Sequence, residues 1–138
     1  MIQAGDPSRL GAQAREGGVN FALYSGSAER VELCLFDAER RQIAVHDLPD
    51  CHNGVWHGFL PGCATGQRYG YRVHGPWKPS RGLRHNPAKL LIDPYARRLD
   101  GAFQWHPSLY DYVPDLGGGP RRIDRQDSAA YVPLSVVA

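Results

Sequence analysis

Arg68-Tyr69-Gly70-Tyr71-Arg72-Val73-His74 alternates without a break. Successive side chains of an extended strand point to opposite faces. Tyr69, Tyr71 and Val73 therefore share one side, and Arg68, Arg72 and His74 the other. Such a strand belongs to an antiparallel sheet with one buried face and one wet face. The same period runs upstream. Val31, Leu33 and Leu35 alternate in Val31–Phe36, with Cys34 on the opposite side as a small buried or half-buried residue. Val19, Phe21 and Leu23 alternate in Val19–Tyr24, and Ile43 and Val45 in Gln42–Asp47. Leu10–Arg15 and Val55–Leu60 complete the set, with Trp56 in phase with Leu60 and so expected in the core.

Turn residues separate these strands: Glu16-Gly17-Gly18, Ser25-Gly26-Ser27, Asp37–Arg40, Pro49–Gly54 and Pro61–Gly66. Strands at this spacing predict an all-β fold, an immunoglobulin-like antiparallel β-sandwich of seven or eight strands. The 16 Gly and 11 Pro among 138 residues agree with a turn-rich chain. The length suits one core, and a hydrophobic content of 42% against 22% charged is that of a globular protein.

From His74-Gly75-Pro76-Trp77-Lys78-Pro79 onward the pattern changes to a rigid loop. Asn86 as N-cap and Pro87 behind it predict a short helical turn over Pro87–Ile92, stopped by Pro94. Residues 1–100 then form the sandwich. Residues 101–138, rich in Pro, Gly and aromatics, read as an extended linker that needs a partner surface.

Several functions are disfavoured. A net charge of +2 is too small to point to nucleic acid, although Arg68, Arg72, Lys78, Arg81, Arg84 and His85 crowd one stretch. Three cysteines without a CxxC pair argue against a disulfide framework or zinc site, and for reduced thiols in a cytoplasmic protein. His46, His52 and His57 lack metal-ligand spacing. Gly117-Gly118-Gly119 precedes Pro and two Arg rather than a helix, so no phosphate loop is expected. No cofactor, signal peptide or membrane span is expected either.

Beyond periodicity, the residues resemble a known group. Gly18–Ser25, Ala28–Asp37, Gly54–Gly62, Gly66–Pro76 and Asn86–Ala96 are similar, in order, to the N-terminal region of bacterial glycogen debranching enzymes of the isoamylase type, in glycoside hydrolase family 13. Asp127–Pro133 extends the likeness. The resemblance implies a β-sandwich of carbohydrate-binding module family 48, followed in such enzymes by a (β/α)8 barrel that hydrolyses α-1,6 branch linkages. It implies a non-catalytic role for this chain, with residues 101–138 leading toward such a barrel. No catalytic pair is expected from Asp93, Asp111, Asp115, Asp124 or Asp127, since a barrel takes about 250 residues.

The resemblance also implies site residues. Related glucan-sensing modules carry a sugar-stacking Trp in the loop where Trp77 stands, and an aromatic face suits the C–H face of a sugar. Trp77, Lys78 and Arg72 are the candidate glucan contacts; the competing use of Trp77 is packing against the barrel. Phe103, Trp105 and Tyr110 form an aromatic stripe expected to dock on that barrel. The expected partners are α-glucan (glycogen or limit dextrin) and the catalytic barrel, with self-association through an uncovered docking surface. The rival readings are an autonomous glucan-binding module and a standalone protein-interaction sandwich.

Overall fold

The computed structural model describes residues 2–78, 83–101, 112–113, 122–123 and 127–138. The strands are β1 Gly11–Arg15, β2 Gly18–Tyr24, β3 Arg30–Phe36, β4 Gln42–Asp47, β5 Asp50–His52, β6 Val55–Pro61, β7 Arg68–His74, β8 Trp77–Lys78, β9 Leu83–Arg84, β10 Arg98–Asp100, β11 Tyr112–Val113, β12 Arg122–Ile123 and β13 Leu134–Val136. Two antiparallel sheets carry the body. One has the order β1-β2-β6-β5 and the other β10-β13-β7-β3-β4. The pairs β8–β9 and β11–β12 stand apart from them.

The core lies where the alternation places it. Val19, Phe21 and Leu23 of β2 meet Val31, Leu33 and Leu35 of β3 and Tyr69, Tyr71 and Val73 of β7, all at most 8% exposed. Phe21 meets Tyr69 edge-on with ring centroids 5.2 Å apart, and Tyr69 meets Tyr71 at 5.8 Å. Trp56 is half-buried against this cluster, and its indole N–H donates to the Ser25 carbonyl at 3.1 Å.

One polar group is enclosed with these aromatics. The Tyr69 hydroxyl donates to Asp93 Oδ2 at 2.7 Å, and Asp93 is 2% exposed. The Tyr71 hydroxyl is buried and has no hydrogen-bond partner among the described residues. Burial pushes the Asp93 carboxyl upward, against the Tyr69 and Tyr95 hydrogen bonds that hold it down. The folded protein thus binds the Asp93 proton more tightly than the unfolded chain does. Its contribution to stability is complete below the ordinary aspartate value of 3.8 and is lost as pH rises through the raised folded pKa. In urea titrations from pH 3.5 to 7, the stability of the wild type minus that of Asp93→Asn is expected to fall with pH. A difference that stays flat contradicts this assignment.

Three expectations need correction. The outer face of β7 is not wet. Gly70 lies under Leu90, where a Cβ would stand 2.8 Å from the leucine side chain. Cys34 and Phe36 of β3 join Leu90, Val132 and Leu134 in a second apolar cluster on that face. Cys34 is fully buried on the side opposite Leu33 and Leu35, as its parity requires.

The short helical turn expected over Pro87–Ile92 is a hydrogen-bonded turn over Asn86–Lys89 and not a helix. The Lys89 N–H donates to the Asn86 carbonyl at 3.1 Å, and Asn86 Oδ1 accepts from the Ala88 N–H at 3.0 Å. Leu91 then leaves helical conformation to exchange both backbone hydrogen bonds with Tyr71, at 2.7 and 3.0 Å. Bonds to a sheet edge outcompete a weak local cap.

The linker expectation fails for the last residues. β13 lies between β10 and β7 in the five-stranded sheet, pairing Ser135 with Tyr69 and with Leu99. Val137 belongs to the main core and is 0% exposed. Just ahead of β13, Ala129–Tyr131 forms a 3-10 turn.

Candidate functional site

Gly75 and Pro76 alone separate β7 from β8, so the β8–β9 pair projects directly from the end of a core strand. Trp77 pairs with Arg84 and Lys78 with Leu83. The backbone positions of Trp77 and Lys78 are described; their side chains lie outside the described residues. At the base of the pair the His85 N–H donates to the Pro76 carbonyl at 3.4 Å. His85 Nε2 and Ser27 Oγ share a hydrogen bond of 2.7 Å, which reaches across to the β2–β3 connection. Next to it, His74 Nε2 meets Glu32 Oε1, and the His74 carbonyl accepts from the Glu29 N–H at 2.7 Å. The β7 end from which β8 departs is thus held from two sides.

Arg72 has a different setting. Its guanidinium donates to the Pro87 carbonyl at 3.1 Å and to Asp127 Oδ1 at 2.9 Å, with 12% of the side chain exposed. It fastens the Asn86–Lys89 turn and the C-terminal segment to β7. It also lines an open cleft of about 570 Å³ with Phe36, Glu39, Arg40, Gln42 and Asp127. In the sequence Arg40 is only the last residue of the Asp37–Arg40 turn. Its guanidinium donates to the carbonyls of Asp100, Ala129 and Val132 at 3.3, 3.2 and 2.5 Å. Phe103, Trp105 and Tyr110, the expected docking stripe, lie outside the described residues. The large apolar side chains that are described as exposed are Tyr24, Ile43, Val45, Leu91, Tyr95 and Leu99.

No group of three His, Cys, Asp or Glu side chains that could hold a metal occurs among the described residues. Four carboxylates are paired within the protein: Asp93 with Tyr69, Asp127 with Arg72, Asp100 with Arg68 and Asp47 with Arg30. Among the described residues, no helix is long and apolar enough to cross a membrane.

Residues 9–96 match the model of the family described as carbohydrate-binding module 48, the isoamylase N-terminal domain. The chain belongs to this family. The match covers β1 to β7, the β8–β9 pair and the Asn86–Lys89 turn, and ends before β10. The module is 52% identical to the glycogen debranching enzyme of Salmonella typhimurium over 140 residues, 99% of this chain and 20% of that enzyme. Two structures of the group B Streptococcus pullulanase SAP share its fold. One has a TM-score of 0.59 at 21% identity and covers 95% of this chain and 14% of the pullulanase. The other, in complex with maltotetraose, has a TM-score of 0.53 at 28% identity and covers 72% and 12%. The module spans about one fifth of the length of the debranching enzymes that it matches.

Proposed function

We propose that this module is the non-catalytic N-terminal part of a glycogen debranching enzyme, an α-1,6-glucan hydrolase. In this reading it docks on the catalytic barrel and contacts α-glucan through the β8–β9 pair. One observation carries the proposal: 52% identity over 99% of the chain to an enzyme five times its length. Docking would fall to Phe103, Trp105 and Tyr110. The exposed Tyr95 and Leu99, at 58% and 49%, show that apolar surface also remains beside β10. Three free cysteines suit a cytoplasmic setting.

Sugar contact is assigned to Trp77, with Lys78 beside it on β8. Arg72 serves the fold first, since two of its guanidinium nitrogens already bond within the protein. A branched maltodextrin titrated into the chain is expected to give a saturable change in tryptophan fluorescence. Trp77→Ala is expected to weaken it more than tenfold, the loss typical of a stacked aromatic anchor of about 1.4 kcal/mol or more. No change up to millimolar sugar leaves docking as the whole function.

A further inference from the structure

We infer that His85, through Ser27, is the positioning residue that sets the β8–β9 pair for glucan contact. The inference rests on the reading of Trp77 given above. A ribbon of two residue pairs has little stability of its own. Among the described residues, the contacts that can orient it lie at its base, around the His85 imidazole. The His85 N–H closes the ribbon onto Pro76. The His85 ring lies on the backbone of Gly75, so close that a Cβ there would stand 2.6 Å from ring Cδ2. Nothing larger than glycine leaves room for the ring in this place.

The far end of the imidazole meets Ser27 at 2.7 Å, across 58 residues of chain. Ser27 is itself anchored. Its neighbour Ala28 packs against the main core, and the Glu29 N–H is bonded to the His74 carbonyl. The ring thus bridges the stalk of the ribbon and the exposed β2–β3 corner. Rotation of β8 about Gly75-Pro76 would break that bridge, so the bridge fixes the course of the β8 backbone that carries Trp77 and Lys78.

The test uses the full chain, maltoheptaose as the probe, and amide hydrogen exchange at Trp77 and Arg84 as a readout that needs no sugar. His85→Ala and Ser27→Ala remove the bridge, and Gly75→Ala displaces the ring. Each is expected to weaken maltoheptaose binding about three- to tenfold, the effect of one lost hydrogen bond. Each should also speed exchange at both amides and leave the midpoint of urea unfolding unchanged. His85→Gln, whose amide nitrogen can replace Nε2, is expected to restore most of the affinity and the slow exchange. Unchanged affinity in His85→Ala, with binding still lost in Trp77→Ala, overturns the inference. So does a His85→Gln variant no better than His85→Ala. If the wild type binds no maltoheptaose, the glucan reading fails. The exchange rates then decide alone: faster exchange in His85→Ala supports the positioning role, and unchanged exchange overturns it.

Discussion

A chain ending at Val132 is expected not to fold. In the sequence, the last six residues look like the dispensable end of a linker. In the structure they carry an interior strand. Leu134, Ser135, Val136 and Val137 are each at most 2% exposed. Their removal leaves β10 with no partner and strips part of one edge of β7. It also breaks the bonds that Val137 makes with the Gly66 N–H and the Gln67 carbonyl, at 2.7 and 3.0 Å. The Asp93 N–H loses the Ser135 hydroxyl that accepts from it at 3.0 Å. Burying three aliphatic side chains contributes about 1.5–3 kcal/mol each, together roughly 5–9 kcal/mol. That is comparable with the whole stability of a small domain, about 5–15 kcal/mol. Both apolar clusters would open, because Leu134 belongs to one and Val137 to the other. The check is urea unfolding followed by near-ultraviolet circular dichroism on chains 1–132 and 1–138. A cooperative transition in the shorter chain, within about 1 kcal/mol of the longer, would reduce β13 to decoration.

How far the sequence could be read depended on the range of the forces involved. β2, β3 and β7 are long enough for period two to show, and each has one face against the core. β13 has three residues, and Leu134-Ser135-Val136 does not look different from coil. What makes it a strand is pairing with residues some 35 and 65 positions earlier, which no local window contains. The Asn86-Pro87 signal was real as a turn and misleading as a helix, since Leu91 gains two hydrogen bonds by pairing with Tyr71. The outer face of β7 carries Arg68, Arg72 and His74 and so looked wet. Gly70 in its middle was the overlooked sign: an unclothed patch of strand admits the close approach of another side chain, here Leu90. At the candidate site, the resemblance drew attention to Trp77. It could not show that Arg72 would turn to Asp127 and Pro87, or that His85 would reach Ser27. These contacts join segments far apart in the chain, by side chains that look like ordinary surface.

Arg40 is the extreme case, and its replacement by alanine is expected to cost about 2–4 kcal/mol. In sequence it is one of several polar residues in the Asp37–Arg40 turn. In the structure its backbone has φ 65, a left-handed conformation that disfavours a side chain, with its N–H bonded to the Asp37 carbonyl at 3.0 Å. The turn therefore holds Arg40 against its local preference, and the guanidinium supplies the reason. One planar group satisfies the Asp100 carbonyl at the end of β10 and two carbonyls, of Ala129 and Val132, on the approach to β13. Hydrogen bonds from a charged donor contribute about 1.5–3 kcal/mol each, discounted here because the side chain is half-exposed. Three substitutions separate the two effects. Arg40→Ala loses the bonds and keeps the strained backbone. Arg40→Gly loses the same bonds but relieves the backbone, so it should be about 1 kcal/mol more stable than the alanine variant while remaining below wild type. Arg40→Lys keeps the charge without the planar fork and should recover only part of the loss. Amide exchange at Leu134–Val136 should quicken in all three, because β13 loses its clamp before the rest of the sandwich does. Should Arg40→Gly match the wild type, backbone strain would dominate at this position and the three carbonyl bonds would contribute little. A glycine variant clearly below wild type, with faster exchange confined to β13 and β10, would show that one arginine ties the β3–β4 turn to the C-terminal strand.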